Sequence, residues 1–165
     1  MSEANPYARF LDHRPIDSIL ASTPVLLASY VEAIGQARLA VAPAPGKWSV
    51  AEILCHLADC EIAFGFRLRQ TLAEEGHVIQ PFDQDKWAKP YANLGPDKGA
   101  AEALATFTAM RRWNLLLMHA ALPEAAEKTA THPERGDMTF ATITETMAGH
   151  DINHLQQLEK FTQTA

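Results

Sequence analysis

WSVAEILCHLADCEIAFGFRLRQTL, residues 48–72, reads as one long amphipathic helix with a marked start. Ser49 and Glu52 have the spacing of a capping box, in which each side chain accepts from the other residue's main-chain N–H. Trp48 precedes the cap and is placed to staple onto Ile53. Ile53, Leu54, Leu57, Phe64, Leu68 and Leu72 then recur at helical spacing, which predicts a helix ending near Gly76.

Three more long helical patterns flank this one. Thr23-Pro24 offers an N-cap followed by proline at the first helical position, so a helix is expected from there to about Ala40, after a short helical turn over Ile16 to Ala21. Pro43-Ala44-Pro45-Gly46 ends it. Further helices are expected from about Gly99 to Ala121 and from about Thr139 to Thr162. Between the second and third helices, residues 77–98 form a long connection with room for a short helix over Gln84 to Ala88. No stretch alternates strictly enough to predict a strand. The pattern is all-α: a four-helix bundle over one domain, 1–165, with a long crossover between helices two and three, as suits helices running the same way.

A formal net charge of −6, with lysines and arginines scattered, argues against a nucleic-acid partner. No apolar stretch approaches the roughly 20 residues that span a bilayer, and MSEANPYARF lacks the order of a signal peptide, so a cytoplasmic protein is expected. Cys55 and Cys60 lie about 140° apart around one helix and cannot pair with each other. Reduced thiols are expected, with Cys60 a small core residue.

The chemistry concentrates in GHDINHLQQ, residues 149–157. His150 and His154 are one helical turn apart on the same face. With Ile143 as zero, His150 falls at about −20° and His154 at about +20°, in the middle of the stripe that holds Phe140, Met147 and Phe161. Two neighbouring imidazoles are costly to bury unless their nitrogens are bonded, and a metal cation bonds both through neutral lone pairs. Asp151 stands where a zincin would carry glutamate, and projects about 100° away as a supporting or surface group. Gln157 points along the stripe toward the site.

Two histidines make a weak site and three a usable one. His13, His77, His119 and His132 stand in an end segment, loops or a helix terminus. His56, on the edge of its helix's apolar stripe about 60° from Ile53, is the best third candidate. Spacing alone leaves it open between a ligand and a partly exposed hydrogen-bonding residue. Arg67 lies on the same edge about three turns on. Asp59 can back a ligand, although solvation is favoured, and Glu61 is expected to be partly buried against Arg67. Asp83 and Asp85 can line a pocket from the crossover, with Asp83 also suited to cap the short helix and Trp87 to cover the core edge. At most one of Arg111 and Arg112 faces inward, to meet a crossover carboxylate.

Five segments in order resemble the DinB-like family: WSVAEILCHLADCE (48–61), FDQDKWA (82–88), FTAMRR (107–112), THPERGDMTF (131–140) and GHDINHLQQ (149–157). The resemblance extends over most of the chain. It implies a four-helix bundle with a long crossover and a divalent metal held by His56, His150 and His154. Distant relatives include mycothiol-dependent maleylpyruvate isomerases and bacillithiol S-transferases, so the resemblance also implies a low-molecular-weight thiol as a cosubstrate.

A three-histidine ion with an open position suits an enzyme, either a thiol-dependent S-transferase or a hydrolase of a small-molecule substrate. The competing reading is a non-catalytic stress-response or binding module in which the ion pins two helices. Imidazole suits zinc, nickel and iron alike. An exposed helix face leaves room for a homodimer, though no residue demands one.

Overall fold

The capping box forms: Ser49 Oγ accepts the Glu52 N–H at 3.3 Å and Glu52 Oε2 accepts the Ser49 N–H at 2.7 Å. It starts α2, Val50–Ala73, in a computed structural model that describes residues 4–163. The ends of the expected domain, residues 1–3 and 164–165, lie outside the described residues. The other helices are α1 (Ile16–Ile34), α3 (Gln84–Ala88), α4 (Pro96–Ala121) and α5 (Phe140–Gln163). No helix among the described residues is long and apolar enough to cross a membrane.

Two expectations need correction. Pro24 does not start a helix; α1 runs through it from Ile16. A proline within a helix leaves the carbonyl four residues earlier without its N–H donor, here that of Leu20. That carbonyl accepts instead from Arg111 Nη1 of α4 at 3.0 Å, so tertiary contact replaces the missing helical bond. The helix also stops short of the expected Ala40, at Gly35, whose φ of 80° the other residues rarely adopt, and a single tighter turn over Gln36–Arg38 follows.

The second correction is a hairpin. No strand is predicted from the sequence, yet β1 (Thr129–His132) and β2 (Gly136–Thr139) pair antiparallel, with Ala130 opposite Met138. Strands of four residues are too short to show period-two alternation. Main-chain bonds from Ile79 to Thr131 and from Thr131 to His77, 2.8 and 2.9 Å, moor the start of the crossover to this hairpin.

Around the bundle the helices follow the order α1, α4, α2, α5. α2 and α4 run the same way: Ile53 and Leu57 share a core cluster with Ala100 to Phe107, and Phe64 and Leu68 share one with Met118. The long crossover, with α3 in it, is what joins two parallel neighbours. α1 is parallel to α5 and antiparallel to α4. This places α2 against α5 at one side of the bundle, where the three candidate histidines lie.

Candidate metal centre

His56 comes from α2; His150 and His154 come from successive turns of α5. All three are buried. His150 Nε2 lies 3.0 Å from His56 Nε2 and 3.1 Å from His154 Nε2. Among the described residues this is the one group of three or more His, Cys, Asp or Glu side chains whose ligand atoms fall within 4.8 Å of one another. His56 is more deeply placed than its position on the stripe edge suggested. The bundle buries α2 on a wider arc than one stripe, with residues 53–61 all buried.

Burial holds all three rings neutral. Desolvation, then His154 nearby, lowers His56 to about 3, and desolvation lowers His154 to about 4. His150, enclosed and flanked by the other two rings, is lowered well below the ordinary value. Gln157 Oε1 lies 3.1 Å from His154 Nδ1; an amide oxygen only accepts, so Nδ1 carries the proton and Nε2 keeps its lone pair. The Trp48 ring lies 4.8 Å from the His56 ring, and the Tyr7 ring meets His150 edge-on at 5.1 Å.

This donor set fits a transition-metal ion. Two nitrogens each ~2.0–2.1 Å from one ion lie roughly 2.9–3.4 Å apart. With His154 Nε2 a lone pair, hydrogen bonding within the cluster would have to divide one N–H between two acceptors. A cation takes all three lone pairs at once.

Cys60 follows His56 by one turn, its Sγ 3.6 Å from His56 Nε2 and 3.9 Å from His150 Nε2. Desolvation pushes its thiol pKa up, so it stands beside the cluster as a neutral SH. Asp59 is buried rather than solvated, and accepts the Tyr91 hydroxyl at 2.6 Å. Tyr91 belongs to the crossover, so this bond draws the connection down onto α2.

Glu61 does not meet Arg67. It receives Arg111 Nε and Nη2 at 3.0 and 2.6 Å, and Asp151 receives Nη1 and Nη2 of the same guanidinium at 2.5 and 3.1 Å. Arg111 thus pairs with helical carboxylates, not with one from the crossover, while Arg112 is exposed. Asp151 is buried, not a surface group. Arg67 lies over the Phe64 and Phe82 rings instead, its Cζ 5.5 and 5.8 Å from their centroids.

A cavity of about 670 Å³ opens beside the cluster, walled by His154, Asn153, Gln157, Trp48, Tyr7 and Asp85 among others. Its size falls in the range of small-molecule sites. Asp83 is not on that wall; it caps α3 through the Asp85 and Lys86 N–H groups and pairs with Lys86. The Trp87 ring packs against Phe82 at a tilt, with centroids 4.6 Å apart.

Tyr7 and Asn153 escaped the sequence reading. Tyr7 arrives because Gly149 lets the N-terminal segment press on α5: a Cβ there would lie 2.6 Å from Tyr7 O. No local pattern announces that contact. Asp151 did leave a trace, since Ala148, Ile152 and Leu155 form a second apolar side of α5 at about 120–180° from Ile143.

The family model of the DinB superfamily matches residues 19–158. A protein of Oceanobacillus iheyensis, named as a candidate metal-dependent hydrolase, is 27% identical over 166 residues, covering 96% of this chain and 95% of that one. A Bacillus cereus protein of the same description is 27% identical over 158 residues, with 90% and 89% covered. Among solved structures, YfiT from Bacillus subtilis superposes with a TM-score of 0.80 at 20% identity, over 90% of this chain and 84% of that one. YfiT is described as a probable metal-dependent hydrolase with an unusual four-helix bundle topology, and the likeness is one of fold.

Proposed function

This chain belongs to the DinB superfamily, and from that premise we propose that it is a metal-dependent hydrolase of small molecules, its ion held by His56, His150 and His154. One observation carries the reading. His154 belongs both to the cluster and to the wall of the cavity, so a group held by the cluster is reachable from the side where a substrate would sit.

Three protein donors would leave coordination positions open, as catalytic sites do and closed structural sites do not. A divalent ion held by these residues would supply Lewis acidity, able to polarise a carbonyl and to draw the pKa of a water or thiol toward neutrality. The chain's own residues do the rest. Gln157 holds the His154 ring in one tautomer. Trp48 and Tyr7 pack on His56 and His150 and keep bulk water off them. Trp48, Ile53 and Phe161 give the cavity an apolar wall for the body of a substrate, and Asn153 offers an amide to orient it. Among the described residues that wall the cavity Asp85 carries the one carboxylate, and it would be the group there to accept a proton from a water. Transfer of a low-molecular-weight thiol would use the same open position.

The test starts from protein purified without a histidine tag and analysed for bound elements. The zinc, nickel and iron forms are then screened against activated esters, amides and thiol adducts. Turnover that disappears together with the metal in His150→Ala is expected. An ion-loaded wild type that is inactive throughout the screen, and whose only response to chelation is a lower melting temperature, would instead establish the ion as a structural pin.

A further inference from the structure

The two helices that carry the histidines are not each other's main packing partners: α2 lies along α4, and α1 along α5. The core they share brings them together, and a contact that passes through the other helices can fix their relative setting more closely. Arg111 of α4 is 1% exposed and spends all five of its N–H donors. Nε and Nη2 reach Glu61 of α2, Nη1 and Nη2 reach Asp151 of α5, and Nη1 also reaches the Leu20 carbonyl of α1. One side chain thus ties together one residue from each of the other three long helices.

We infer that Arg111 is the positioning residue of the metal centre, setting the separation of α2 and α5 at which His56 meets His150 and His154. The inference rests on the reading of those histidines as metal ligands. Its partners stand beside the ligands: Glu61 is five residues past His56, and Asp151 directly follows His150.

The surroundings are built to keep the guanidinium in place. Its Cζ lies 4.6 Å from the Phe107 ring centroid. Asn114 Nδ2 donates to Glu61 Oε2 at 3.0 Å and to the Glu61 carbonyl at 3.2 Å, so the carboxylate is held from a second side. Gly65 lets α2 approach α4 there, since a Cβ would come within 2.7 Å of Asn114 Oδ1. On α1, Pro24 is the reason the Leu20 carbonyl is free to accept. A buried ion cluster of this kind is often no more stabilising than apolar residues of the same shape, so its use is register rather than stability. Lysine, a single point donor, cannot span three helices as a planar fork does.

The experiment compares Arg111→Met, Arg111→Lys and Glu61→Gln with wild type, after circular dichroism has established that each folds. Zinc affinity is measured by competition with a chromophoric chelator, and the cobalt forms are compared by their visible spectra. Expected are affinities at least about tenfold weaker in the Arg111 variants, a smaller loss in Glu61→Gln, and altered ligand-field bands. Lysine should not rescue. Glu61→Gln keeps shape and most hydrogen bonds, so it decides the matter if both Arg111 variants fail to fold. Wild-type affinity and spectrum in the folded variants would overturn this inference alone. A wild-type chain that takes up no ion would overturn the metal centre itself, and this inference with it.

Discussion

Gln157 Oε1 accepts the Nδ1–H of His154 at 3.1 Å, one turn along α5, and so turns the Nε2 lone pair of that ring toward His150. Partners of this kind fix both the tautomer and the direction of a metal-binding imidazole. Gln157→Leu should lower zinc affinity by about 10–100-fold, while Gln157→Glu, which keeps an acceptor at that place, should retain most of it. Chelator competition on the two variants checks this; equal losses in both would count against the orienting bond.

Removing the ion should lower stability without unfolding the chain, because the cluster joins two helices that a core already holds. At free ion 100-fold above the dissociation constant the gain is about 2.7 kcal/mol. For a chain of this size that corresponds to roughly 5–10 °C in melting temperature. Thermal scans with and without chelator measure it, and the difference should vanish in His56→Ala.

Acid should act on the ion-free protein in a defined direction. Folding depresses His56 to about 3 and His154 to about 4 from 6.5, so below 6.5 the unfolded chain binds more protons than the folded one. The stability tied to these groups is complete above the unfolded value and falls as pH drops toward their folded values. Urea midpoints of chelated protein, followed from neutral pH to about pH 4, should decline throughout; flat midpoints would contradict neutral burial. Ion affinity should fall in the same direction, because protons compete for the same lone pairs.

Gly149→Ala should displace the N-terminal segment. The added methyl would sit 2.6 Å from Tyr7 O and 2.8 Å from Tyr7 Cβ, and neither α5 nor a main-chain carbonyl yields easily. A cost of about 1–3 kcal/mol is expected, from crowding of a packed site. Hydrogen exchange over residues 5–10 should quicken and the Tyr7 contact with His150 should open. Unchanged exchange there would show that the segment does not depend on the glycine.

What could be read from the chain followed how local each feature is. The capping box of Ser49 and Glu52 involves four residues in a row, and it forms as expected. The facing of His150 and His154 follows from helix geometry once α5 exists. The resemblance of five ordered segments to the DinB-like family brought His56 to the same place and announced the crossover. The start of α1 was misread because Thr23-Pro24 has the form of an N-cap and first helical position, and only Arg111 from another helix supplies what Pro24 removes inside a helix. The hairpin was missed because its strands are shorter than the pattern that would reveal them.

The sequence by itself therefore determined the helices, the crossover and the histidine pair, since caps and periodicities act between residues a turn or two apart. Only the tertiary structure decided that Glu61 pairs with Arg111 rather than Arg67, and that Asp151 is buried and Asp59 bonded to Tyr91. It also brought Tyr7 onto His150. The physical reason is that a buried charge or ring takes the partner that packing delivers. That choice is made between helices, where sequence separation carries no information about distance.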